Sequence, residues 1–202
     1  MLNEIGMLCV ITKPANFIQA SSVPEWQEAM AEEIRALENN RTWSIVQLPS
    51  RHHTIGCKWL FKVKLKADGS VERYKARLVA KGYTQQEGVD YFDTFAPVAK
   101  LVTVKLLLAL TFIKGWSLHQ LDVNNASLHG DLSEEVYMTI PQGYFPMGES
   151  LSKNFVCKLR KSLYGLKQVS RQWYAKFSSV LVEKKVSAIC HISFFVHQKG
   201  RF

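Results

Sequence analysis

Residues 56–81 alternate in a way that leaves one local structure open to them. In the first run Trp59, Phe61, Val63 and Leu65 interleave with Lys58, Lys62, Lys64 and Lys66. In the second, Tyr74, Ala76, Leu78 and Ala80 interleave with Arg73, Lys75, Arg77 and Lys81. Successive side chains of a strand point to opposite faces, and Ala67-Asp-Gly-Ser70 between the runs is a hairpin signal. The spacing predicts a two-stranded ribbon, apolar on one side and basic on the other. One strand of this kind reads as a row of solvated lysines. Two strands phased alike at eight positions point instead to an anion-binding face, with phosphate the natural anion and a strong dependence on salt.

The whole-chain charge agrees. A net charge of +9 on 202 residues suggests an anionic partner, nucleic acid ahead of a membrane surface. Hydrophobic and charged shares of 47% and 21% belong to an ordinary globular chain, long enough to bury a core as one domain or two small ones. No apolar run is long enough to span a bilayer. The nearest, 106–113, has the length of a core helix. No targeting signal stands out, which predicts an intracellular chain, and Cys9, Cys57, Cys157 and Cys190 read as buried thiols rather than a disulfide framework. His52, His53 and Cys57, like Cys190 and His191, lack the paired spacing of a zinc site.

Around the ribbon, Ser22-Val-Pro-Glu25 has the form of a capping box with proline in the first turn. Trp26, Met30, Ile34 and Leu37 then recur at helical spacing up to Asn39-Asn40. Residues 42–48, 135–140 and 156–159 read as strands, and 102–114 as a strongly apolar helix stopped by Gly115. Residues 147–154 form a polar loop, and a helix from Lys167 to about 184 carries Trp173, Phe177, Val180 and Leu181 on one face. These elements predict an α+β fold, an antiparallel sheet with helices on one side.

One carboxylate calls for a partner. Asp122 follows the apolar, β-prone segment Trp116-Ser-Leu-His-Gln-Leu121 and precedes Asn124 and Asn125. A charge at the end of a buried strand is costly unless paired. Mg²⁺ is one such partner, favouring carboxylate oxygen together with substrate phosphate. A plain strand end capping the next turn is the alternative. Turn and cap chemistry accounts for Asp90, Asp93 and Asp131.

Here the sequence resembles a known family. L-D-V-N-N-A-x-L-x-G-D-L is similar to the first catalytic motif of copia-type retrotransposon reverse transcriptases. K-W-L-F-K-V-K-L-K-A-D-G-S-V-E-R-Y-K-A-R-L-V-A-K-G-Y-T-Q-Q-E-G-V-D-Y resembles their fingers region, and the likeness runs from near Lys13 to the end of the chain. The resemblance implies fingers at 13–100 and an incomplete palm at 101–202. It implies RNA-directed DNA polymerase chemistry with Mg²⁺ held by Asp122 and the Val123 carbonyl. Lys75 and Arg77 match positions that hold the incoming deoxynucleotide's triphosphate. Lys58, Lys62, Lys64, Arg73 and Lys81 would follow the backbone of an RNA template or RNA–DNA duplex. Tyr164 and Gly165, in K-S-L-Y-G-L-K-Q, match a template- and nucleotide-positioning motif, where the backbone passes close to a ligand. Pro141-Gln142-Gly143 is a weaker candidate for that motif, since no helix follows it. Integrase and RNase H regions of the same Pol polyprotein are the implied partners, and no membrane is.

Three departures stand against the family pattern. Ser127 occupies the position of a bulky aromatic that excludes ribonucleotides by clash. Residues 184–191 lack a glycine and an acidic residue expected there. The family's Tyr-x-Asp-Asp hairpin would follow the strand-like 190–196, and the sequence has no adjacent pair of aspartates. Two-metal chemistry needs those carboxylates. The expectation is a reverse-transcriptase domain by descent, truncated and inactive as an isolated chain. A non-catalytic nucleic-acid-binding remnant and a non-functional fragment with an exposed sheet edge are the alternatives.

Overall fold

The structure, a computed structural model, describes residues 13–96, 100–117, 123, 125–144 and 154–183. Its elements are α1 (Phe17–Ala20), α2 (Pro24–Asn39), β1 (Trp43–Gln47), β2 (Cys57–Leu65), β3 (Val71–Ala80), α3 (Leu101–Lys114), β4 (Asp131–Met138), β5 (Phe155–Lys161) and α4 (Val169–Glu183), with 3-10 turns at Gly82–Thr84 and Ala126–Leu128. This is mixed helix and antiparallel sheet, as an α+β reading requires.

The ribbon forms as its alternation demands. Trp59 lies opposite Leu78, Phe61 opposite Ala76 and Val63 opposite Tyr74, while Lys62 faces Lys75 and Lys64 faces Arg73. Directly opposed residues share a face, so the apolar and basic sides separate. The phase holds for six of the eight basic positions and ends at Lys64, because the register shifts between Lys64 and Leu65. Lys66 therefore belongs to the exposed turn. Lys81 lies one step past β3, its amide donating to the Gly56 carbonyl at 2.8 Å.

Helix α2 covers the ribbon's apolar side. Trp26 meets Phe61 and Tyr74 edge-on, with ring centroids 5.2 and 4.8 Å apart. Pro24 opens the helix, but the expected capping box does not form: Val23 is the cap residue, with no side-chain bond, and the Ser22 hydroxyl donates to the Ile18 carbonyl. The preceding turn α1 holds the Ser22 hydroxyl at the Ile18 carbonyl instead of at the helix amides.

The second sheet has the order β1-β5-β4, all antiparallel. It joins β1, from before residue 100, to two strands from beyond it. Ile55 links the sheets, its amide donating to the Tyr137 carbonyl and its carbonyl accepting from Thr139. One core results, in which Trp26, Leu37, Phe61 and Leu78 lie with Val136, Met138, Leu159 and Leu163.

Several boundaries differ from the sequence expectation. The strand expected at 135–140 begins at Asp131, whose carboxylate pairs with Lys176 of α4 at 2.9 Å rather than closing a turn. Helix α3 forms as expected and ends at Gly115, yet none of its residues is buried, and Phe112 is 88% exposed. Its apolar run reads as core only if something covers it, and nothing among the described residues does. The segment leading into Asp122, Asp122 itself, most of 147–154 and the strand-like 190–196 lie outside the described residues. Among the described residues no helix is long and apolar enough to cross a membrane.

Candidate nucleic-acid interface

The site begins at the outer edge of β3. Only β2 pairs with β3, so alternate β3 amides point away from the ribbon and need other acceptors. The Leu78 amide donates to Glu33 Oε1 of α2 at 3.1 Å. The Ala80 amide donates to the Tyr164 carbonyl at 2.7 Å. These two bonds bring α2 and the 162–168 loop against the strand that carries Lys75 and Arg77.

The loop can lie so close because of two glycines. Gly165 has φ +90°, and a Cβ there would stand 2.2 Å from the Ala80 carbonyl oxygen and 2.6 Å from Val79 Cγ1. A Cβ on Gly82 would stand 2.0 Å from the Gly165 oxygen. Sequence reasoning assigned the close approach at Gly165 to a ligand. In the structure the approach it permits is to the protein's own strand.

That contact sets Tyr164 beside the basic ribbon. The Arg77 guanidinium lies over its ring, 5.0 Å from the centroid. The Tyr164 hydroxyl donates to Asn125 Oδ1 at 3.4 Å. Asn125 has φ +52° and leads into the 3-10 turn that contains half-buried Ser127. Lys75, Arg77, Tyr164 and Gly165 are thus drawn together, with the Asn125–Ser127 turn on their flank. Lys58, Lys62, Lys64 and Arg73 extend the basic face away from them, and Lys81 leads from the end of β3 toward Gly56.

The electrostatics are those of crowded cations. Partial burial pulls the Lys75 ammonium below its ordinary value, and the Arg77 and Arg73 charges push the same way. Burial pushes the Glu33 carboxyl up, opposed by the Leu78 amide and by the Arg77 and Lys75 charges. Burial also raises the Tyr164 phenol, against the pull of Arg77. A mobile anion carrying several charges would relieve Lys75 of its like-charged neighbours.

The metal position is a different matter. Asp122 lies outside the described residues, and the exposed Val123 is the one expected ligand that is described. Among the described residues no three His, Cys, Asp or Glu side chains group so as to hold a metal ion. They do not by themselves assemble a Mg²⁺ site.

The sequence matches the family described as reverse transcriptase (RNA-dependent DNA polymerase) over residues 40–201. The retrovirus-related Pol polyprotein from transposon RE1 of Arabidopsis thaliana is 44% identical over 196 residues, 96% of this chain. The chain belongs to the copia-type reverse transcriptases. A second relative, the Pol polyprotein from transposon TNT 1-94 of Nicotiana tabacum, is 44% identical over 172 residues, 84% of the chain. The Ty1-NL2 Gag-Pol polyprotein of Saccharomyces cerevisiae is 30% identical over 164 residues, 78% of the chain. The chain spans 13% of the length of the two plant polyproteins and 9% of the yeast one. No solved structure matches.

Sequence reasoning missed several residues that build this candidate site. Glu33 had a signal: with Trp26, Met30 and Leu37 it falls on the buried stripe of α2, a carboxylate where the period calls for an apolar side chain. Gln85 and Gln168 had none, since both sit in polar runs. Both are buried, and the Gln85 amide donates to Gln168 Oε1 at 3.1 Å. Gln85 Oε1 accepts the Lys167 amide, and the Gln168 amide donates to the Asp90 carbonyl. This network moors the Tyr164–Gly165 loop. Asp90 serves as structure, its carboxylate accepting the Gln86 amide and meeting His53 at 2.9 Å. Asp93 accepts the Phe95 amide within its own turn.

Proposed function

We propose that this chain forms the nucleotide-gripping and template-gripping part of an RNA-directed DNA polymerase. Lys75 and Arg77 hold the triphosphate of the incoming deoxynucleotide: Arg77 as a planar fork, Lys75 as a point charge. Tyr164 and Gly165 set its base and sugar, and Ser127 lies by the sugar, where it offers no bulk against a 2′-hydroxyl. Lys58, Lys62, Lys64, Arg73 and Lys81 follow the backbone of an RNA template or RNA–DNA duplex without reading bases. Asp122 and the Val123 carbonyl are the residues that would hold a Mg²⁺, which would supply charge stabilisation for phosphoryl transfer. Residues 13–100 serve as fingers and 101–202 as part of a palm, and other Pol regions are the natural partners.

The observation that carries this reading is the contact of Arg77 with Tyr164. It joins two separate family motifs, 87 residues apart in sequence by their numbers (164 − 77), at one charge-crowded point. The test is binding of a deoxynucleoside triphosphate to the folded chain, with and without Arg77→Ala. Equal binding by both forms refutes the assignment. Catalysis is a separate matter. These 202 residues contain no adjacent aspartate pair, so the chain by itself is expected not to extend a primer on RNA with Mg²⁺. Extension that is lost in Asp122→Asn would overturn that expectation.

A further inference from the structure

Glu33 is a carboxylate turned into a basic cluster. It meets β3 at the open edge through the Leu78 amide. Lys75 and Arg77 act on it from β3, and its charge in turn reaches Tyr164 in the loop before α4. Lys64 and Arg73 crowd Lys75 from the basic face. On α2 its neighbours one turn away, Ala29, Met30, Ala36 and Leu37, carry no charge.

The hydrogen bond to Leu78 does not require a charge, since a neutral amide or carboxyl oxygen also accepts it, though less strongly. A half-buried carboxylate costs desolvation, so its charge must be balanced by something near. Lys75 and Arg77, beyond ion-pair contact, supply part of that balance. A polyphosphate bound to the same two cations would set several negative charges beside Glu33. Burial already disfavours the ionised carboxyl there, so protonation is the easiest relief. The protonated group keeps its carbonyl oxygen on the Leu78 amide, and the β3 edge stays in position.

We propose that Glu33 is the resident counter-anion of the Lys75–Arg77 grip, and that it takes up one proton from solvent when a polyphosphate binds there. The proposal rests on the reading of Lys75 and Arg77 as triphosphate-binding residues. Glu33 acts as a positioning residue: its carboxylate touches the strand at the Leu78 amide, next to Arg77, and not the reacting atoms. Its consequence is that affinity rises as pH falls through the window between the free and bound titrations of Glu33, approaching one log unit per pH unit.

The test uses the full chain, inorganic tripolyphosphate and titration calorimetry from mildly acidic to mildly alkaline pH. Two buffers of different ionisation enthalpy count the protons. The wild type should take up more protons than Glu33→Gln, whose remaining pH dependence is that of the ligand. At alkaline pH Glu33→Gln should bind tighter by a factor on the order of ten, the size of one pKa unit of coupling. Equal proton uptake and equal affinity in the two forms would overturn the proposal and leave the nucleotide site standing. Absence of binding by both forms, or binding untouched by Arg77→Ala, removes the site and the proposal together. If Glu33→Gln does not fold, the ¹³C shift of the Glu33 carboxyl decides in the wild type: a titration that tripolyphosphate does not move refutes the idea.

Discussion

Replacing Gly165 by alanine should detach the Tyr164 loop from β3, at a cost much larger than backbone strain alone. The strain can be measured separately. Gly69 and Gly165 have nearly the same φ, +85° and +90°, but a Cβ on Gly69 meets nothing within 4 Å. Gly69→Ala therefore costs only the left-handed penalty, about 1–2 kcal/mol. At Gly165 the new methyl would overlap a main-chain oxygen at 2.2 Å, which no rotamer change relieves. The loop must move, and the Ala80 amide loses its acceptor. An unsatisfied donor there adds about 1–3 kcal/mol. The sum for Gly165→Ala is roughly 2–5 kcal/mol, a large share of the stability of an ordinary domain. Urea unfolding of the two variants beside the wild type gives both values. The stacking of Arg77 on Tyr164 should go with the loop, so tripolyphosphate affinity should fall in Gly165→Ala and not in Gly69→Ala. Equal destabilisation by both substitutions would refute the packing argument.

The double variant Lys75→Ala/Arg77→Ala should keep a cooperative melt but lower the salt slope of RNA binding by about one to two, roughly one for each phosphate no longer neutralised; an unchanged slope makes the ribbon a solvated face. Burial pushes the Cys157 thiol up to about 12, so native alkylation mapped by mass spectrometry should spare Cys157 at neutral pH and reach it in urea. The raised Glu33 carboxyl contributes stability below its unfolded value that is lost as pH rises through the folded one. Glu33→Gln should therefore melt higher than wild type near neutral pH, with the gap closing in acid; a gap independent of pH would show that the charge at 33 is immaterial to folding.

The ribbon was legible because alternation is a local rule with two independent strands to check it. Trp59, Phe61 and Tyr74 could be assigned inward from spacing alone, and they pack where spacing put them. Its end was not legible, since the slip between Lys64 and Leu65 comes from the turn and not from composition. Helix α2 was legible by its stripe, yet its start was not: a capping box is only a potential set of bonds, and the Ser22 hydroxyl is taken by α1. The same limit applies to Asp131, which looked like a turn residue until Lys176 came near it. Apolar content misled most at α3. It reports a need to be covered and says nothing about what does the covering.

The candidate site shows why motif reading reaches some residues and not others. Arg77, Tyr164 and Gly165 stood out because family motifs carry them. The groups that hold them together are chemically plain: a buried glutamine pair, a carboxylate on a helix stripe and a backbone amide at a strand edge. None of these has a spacing rule, because each is defined by a partner more than forty residues away in sequence. They also explain why the basic face cannot be understood as charge alone. Without α2 and the Tyr164 loop, the two-stranded ribbon would expose the amides of Leu78 and Ala80, and a bare edge of that kind frays or finds another chain. Holding Lys75 and Arg77 at fixed positions for a phosphate therefore depends on Glu33 and Gly165 as directly as on the cations. A peptide containing only residues 56–81 should bind RNA by charge but lack the preference for polyphosphate that the folded chain is expected to have.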